Sequence, residues 1–158
     1  PYAGVFYIKN YLMNKLLLIA LIVSVSFSCK KKEEEPKIPE IELISITPLS
    51  LVQYEESVYM VIRYKDLDGD IGYESPDEYA LQIKDNRLVN PDWYHVPPLS
   101  PIGSNVSIEG DLSVKISTLF LLGNGSQEET SFSIRIKDRA GNWSEEINSP
   151  QITILDSL

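Results

Sequence analysis

Three aspartates at alternate positions, in Asp66-Leu67-Asp68-Gly69-Asp70-Ile71-Gly72, form the chemically densest stretch of the sequence. Glycine permits the tight turns that other residues resist, so an Asp-x-Asp-x-Asp run broken by Gly69 and Gly72 can aim several carboxylates at one point. That serves a hard cation: calcium takes six to eight oxygen ligands at about 2.3 to 2.6 Å. The spacing is not that of an EF-hand, where glycine holds the sixth loop position; here Gly69 holds the fourth. A second polar loop, Asp138-Arg139-Ala140-Gly141-Asn142-Trp143-Ser144, supplies one more carboxylate. Asp66, Asp68, Asp70 and Asp138 are therefore the candidate calcium ligands. The competing reading is that Asp-Gly and Gly-Asn are ordinary turn formers that reverse strands without a metal. The acid density exceeds what a turn needs.

Little else could support catalysis. The chain has one His and one Cys. His95, in Trp93-Tyr94-His95-Val96 beside prolines, has no nucleophile motif to serve, and Gly123-Asn124-Gly125-Ser126 lacks the lysine of a phosphate-binding loop. The acids cluster too densely for one to act alone as a raised-pKa glycosidase acid, so an envelope hydrolase is the weakest reading and the chain is expected not to be an enzyme. A lone Cys excludes an internal disulfide framework and Cys-based zinc clusters. With 14 Lys+Arg against 23 Asp+Glu the formal charge is -9, which argues against nucleic acid as a partner. Tyr73, Tyr79, Trp93, Tyr94 and Trp143 offer an alternative function, an aromatic platform for sugar rings, against the plainer reading that they pack the domain or its rim. Association with another envelope protein is a third reading.

The elements that must position these residues follow a period of two. Val58, Met60, Ile62 and Tyr64 alternate with more polar neighbours, as do Leu112, Val114 and Ile116, and again Phe132, Ile134 and Ile136. Segments 41–47, 79–84 and 151–155 add three strands, and 93–96 or 105–108 an edge. Leu43, Ile44, Ile46, Leu81, Ile83, Ile152 and Ile154 complete the expected core. The four prolines between 91 and 101 remove ladder donors and predict a long edge connection. Leu119 to Leu122 reads as a short helical turn closing one end of the core. No stretch is long and amphipathic enough for a major helix. The expectation is an all-β, immunoglobulin-like antiparallel β-sandwich of about seven strands over residues 40–158. If 58–64 and 131–137 are its second and sixth strands, the two acidic loops leave the same end, and Asp138 approaches the other three aspartates.

The region before the sandwich reads as an address. Residues 1–12 precede the first initiator, Met13, and read as a non-native extension. Residues 13–28 then form a lipoprotein signal peptide: Asn14 and Lys15, followed by an uncharged run from Leu16 to Phe27, too short for the ~20 residues that cross a bilayer. Ser26-Phe27-Ser28-Cys29 places small residues before the only thiol, marking Cys29 for lipid attachment. Residues 29–39, rich in Lys, Glu and Pro, form a flexible tether.

Lys30 to Lys32 followed by Glu33 to Glu35 resembles the export signal of Bacteroidetes-type surface lipoproteins. The two loop segments, Tyr64 to Gly72 and Ile136 to Ser144, resemble segments of small uncharacterised lipoproteins of that group with an immunoglobulin-like or fibronectin-type domain. The resemblance implies an outer-membrane lipoprotein exposed at the cell surface, with no assigned reaction. Setting aside six lysines and three glutamates before residue 40 leaves 8 basic and 20 acidic residues, so the domain itself carries -12. A cation is accordingly the first partner expected.

Overall fold

The computed structural model describes residues 37–157, and these form an all-β sandwich without helices. The expectations for the signal peptide, for Cys29 and for most of the tether lie outside the described residues. Ten strands are present among the described residues: β1 (Glu40–Thr47), β2 (Ser50–Val52), β3 (Val58–Asp66), β4 (Leu81–Asp85), β5 (Asp92–Tyr94), β6 (Ile108–Ile116), β7 (Gln127–Thr130), β8 (Phe132–Ile136), β9 (Ile147–Asn148) and β10 (Ile152–Leu155). One sheet runs β1-β3-β6; the other layer is built from β5-β4-β8-β9 and β2-β10-β7.

The count is ten rather than about seven because three strands are interrupted. The first leaves β3 at Pro48 and resumes as β2, which pairs in parallel with β10 in the opposite layer. The sixth divides at Ser131, so that β7 pairs with β10 while β8 pairs with β4 and β9. The last divides at Ser149-Pro150, where proline has no N–H to give the ladder. Ser149 bridges that break: its backbone N–H donates to the Phe132 carbonyl and its Oγ accepts from the Phe132 N–H, both at 2.9 Å.

The alternating residues meet between the layers. Val58, Met60 and Ile62 of β3 pack with Leu81 and Ile83 of β4, Ile134 and Ile136 of β8, and Ile152 and Ile154 of β10, all essentially without solvent contact. Side chains of this size each stabilise the fold by about 1.5 to 3 kcal/mol when fully buried. Ile44 departs from its expected core position and is 41% exposed. Pairing of β1 with β3 slips between Leu43 and Ser45, and the extra residue reverses the parity, so that Ile41 and Leu43 face inward before the bulge and Ile46 after it. The expected helical turn at 119–122 is also absent: Leu119 alone is buried, while Phe120 stacks on Tyr54 with centroids 6.0 Å apart.

Strands β3 and β8 run in the same direction, each being antiparallel to a neighbour that reverses it, and both end where β1, β4 and β6 begin. The two acidic loops therefore emerge at one end, as expected, and an isolated bridge between Ile71 and Asp138 joins them.

Candidate metal centre

Loop 66–72 begins with Asp66, the last residue of β3, which is 1% exposed. Its Oδ2 accepts the Asp70 N–H at 2.8 Å, drawing the chain into a tight curl. Gly69 and Gly72 have φ of +69° and +92°, and a Cβ on either would run into a carbonyl, that of Val106 or of Pro97. Both positions therefore require glycine. Ile71, fully buried, anchors the loop; its carbonyl accepts from Leu99 N–H at 3.2 Å, while Tyr73 N–H donates to Val96 carbonyl at 2.9 Å. The curl is thus held on the connection between β5 and β6.

The result is a convergence of like charges. One oxygen each from Asp66, Asp68 and Asp70 lies within 4.8 Å of the others. The Oδ1 atoms of all three are buried and accept no hydrogen bond. Burial pushes the Asp66 carboxyl up to about 6, partly opposed by the Asp70 N–H and reinforced by Asp68. Asp70 is raised as well, by burial first and then by the charges of Asp138 and Asp68. Nearby cations relieve the cluster only in part: Lys37 pairs with Asp68 Oδ2 at the long distance of 4.0 Å, and Arg139, whose guanidinium donates to the Gly72 carbonyl at 2.9 Å, lowers Asp70 less than burial and its acidic neighbours raise it.

Asp138 is brought beside this cluster but faces another way. It is fully buried, and its two carboxylate oxygens accept from the backbone N–H and side-chain amide of Asn142, at 2.7 and 2.8 Å. Its loop supports the acidic one through the backbone, since Arg139 N–H donates to the Asp70 carbonyl at 3.1 Å and Ala140 N–H to Asp70 Oδ2 at 3.2 Å. Three of the four expected ligands therefore converge, and the fourth closes its own turn.

Buried polar atoms without partners are rare in folded proteins, and three on one loop make this a candidate cation site. Ligands around an ion at about 2.3 to 2.6 Å lie at most about 4.6 to 5.2 Å apart, and the observed spread fits within that span. Oxygen-only donors suit calcium, magnesium or manganese rather than zinc or copper. Asp66, Asp68 and Asp70 would hold the ion, with carbonyls or water completing its shell.

No protein-family model matches the chain, and no curated protein does. Among solved structures it resembles a mutant of the SrpA adhesin from Streptococcus sanguinis, at 16% identity and a TM-score of 0.34, over 78% of this chain and 60% of the adhesin's. The chain spans less than two thirds of that protein, and a likeness so distant says nothing of activity.

The other sequence candidates divide. Tyr79 and Trp93 are each 43% exposed, whereas Tyr73 and Tyr94 are half-buried and pack against the core. Trp143 is half-buried and lies 5.8 Å from Trp93 at 57°, so the tryptophans are not coplanar. His95 places Nδ1 2.9 Å from the Glu78 carbonyl, a packing contact on the rim. Two residues that sequence reasoning missed, Glu78 and Lys137, line a cavity with Tyr73, Tyr79 and Trp93. They come from the approach to β4 and the end of β8, about 60 residues apart in the sequence. The one local signal was the outward parity that Lys137 shares with Arg135.

Proposed function

We propose that this chain is a non-enzymatic, surface-displayed binding or structural module, anchored by lipid on Cys29, whose acidic loop end takes up calcium. The observation that carries the metal is the trio of buried, partnerless Oδ1 atoms on Asp66, Asp68 and Asp70. A rigid loop that holds repelling carboxylates together without a cation works against its own fold, and a divalent ion converts that repulsion into cross-linking. Calcium is the outer-face cation that such a site suits. The anchoring rests on the uncharged run before Ser28-Cys29 and the charged tether after it.

Titration of the full chain with calcium in a calorimeter should give one binding event per chain, and Asp68→Ala should weaken it at least tenfold. A flat titration at millimolar calcium would sink the metal. Independently, cells expressing the chain should incorporate labelled palmitate into it, and Cys29→Ala should abolish the label; label retained in that variant excludes this anchor.

A further inference from the structure

The outer face of the β5-β4-β8 layer carries a second feature, unrelated to the metal ligands. A cavity of about 340 Å³ is lined by Tyr73, Glu78, Tyr79, Trp93 and Lys137, within the range of roughly 300 to 1,000 Å³ found for small-molecule sites. Its wall is braced. Arg135 Nε donates to Gln82 Oε1 at 2.6 Å, which fixes the guanidinium 4.3 Å over the Trp143 ring, and Trp143 in turn leans on Trp93. Its floor is fixed too, because the Tyr73 hydroxyl donates to the Asp138 carbonyl at 3.0 Å. Trp93 and Tyr79 keep exposed ring surface, so the aromatic groups are held in place without being used up in the core.

The charged groups identify the occupant. Glu78 and Lys137 face the same cavity, yet among the described residues neither side chain appears in an ion pair with the other or with any other residue. The Lys137 ammonium meets only ring faces, 5.8 Å from the Tyr73 centroid and 5.6 Å from that of Trp143. One carboxylate and one ammonium leave the cavity without net charge, so it selects neither anions nor cations. A purely apolar ligand would bury both charges without partners, which is unfavourable. A polyhydroxylated ring satisfies all three features: its hydroxyls donate to Glu78, accept from Lys137, and its apolar C–H face covers Trp93 or Tyr79. The excess of acids in the domain further disfavours polyanions. We infer that this cavity is a binding site for a neutral saccharide.

Affinity electrophoresis tests this with the full chain in non-ionic detergent, run through native gels containing laminarin, mannan, dextran or xyloglucan, with alginate as a polyanionic comparison. Retardation is expected in at least one neutral gel. Trp93→Ala should weaken that interaction about tenfold, and Lys137→Met and Glu78→Gln should each weaken it several-fold. Melting temperatures of the three variants identify any loss of folding; Glu78 is exposed and Lys137 half-buried outside the core, so Lys137→Met and Glu78→Gln keep the test readable if Trp93→Ala unfolds. Retardation in none of the neutral gels, retardation in alginate alone, or retardation unchanged in all three variants would each overturn the assignment. The readout does not depend on metal in the acidic loop, so the two proposals fail separately.

Discussion

Calcium should raise the melting temperature of the wild-type chain, and Asp66→Asn should reverse the order of stability between calcium and chelator. In chelator the wild type keeps a buried carboxylate whose Oδ1 has no partner, next to two more of like charge. An asparagine there still accepts the Asp70 N–H through its oxygen and can donate its amide to Asp68. The variant should therefore be more stable than wild type in chelator, by about 1 to 3 kcal/mol, the usual penalty of an unsatisfied buried polar group. In calcium the order inverts. Calcium at one hundred times Kd stabilises the wild type by about 2.7 kcal/mol, roughly 8 to 15 °C for a domain of this size, while the variant has lost one charged ligand and gains little. Differential scanning calorimetry of both proteins in chelator and in millimolar calcium reads the four states. A wild type indifferent to calcium, or a variant less stable than wild type in chelator, contradicts the site.

That experiment depends on residues legible in the sequence, and the structure explains why some were and others were not. Asp66, Asp68 and Asp70 share one short loop, so their convergence needs only the local turn that Gly69 and Gly72 permit. Asp138 needed long-range information: the fold brings it to the right end, but Asn142, four residues on, takes both of its oxygens. An aspartate in a turn serves either its own backbone or a neighbour, and spacing alone does not separate the two. The sandwich itself was legible because β3 and β8 alternate strictly between core and surface. Ile44 was misplaced because period-two reasoning assumes unbroken pairing, and one extra residue in β1 shifts every later side chain to the other face. Of the cavity at Trp93, the aromatic lining of Tyr73, Tyr79 and Trp93 was legible and the charged pair was not: Glu78 and Lys137 are unremarkable polar residues locally and meet only after β4 and β8 pair.

At the other end of the sandwich, Arg87→Met should destabilise the chain by about 3 kcal/mol at neutral pH, with a pH dependence that distinguishes charge from packing. Asp85, at the end of β4, is 6% exposed; Arg87 Nη2 donates to its Oδ2 at 2.7 Å, and Thr130 Oγ1 donates to its Oδ1. Arg87 Nη1 also donates to Glu128 Oε2 at 2.8 Å and to the Phe120 carbonyl at 3.0 Å. The guanidinium thus ties β4 to β7 and to the 117–126 connection. Burial alone would raise the Asp85 carboxyl, but the bonds from Arg87 and Thr130 outweigh it, and the group is held below the usual range. A depressed carboxyl contributes stability above its unfolded value, about 3.9, and loses it as pH falls through the folded value. Removing the guanidinium leaves burial less opposed, so in the variant protonation relieves the site instead of breaking it. The deficit of Arg87→Met relative to wild type should therefore be largest at pH 7 and shrink toward pH 3. Urea unfolding followed by tryptophan fluorescence at both pH values measures it. A deficit of equal size at the two would mean that the arginine acts through its bond to the Phe120 carbonyl, which does not titrate, rather than through the ion pairs.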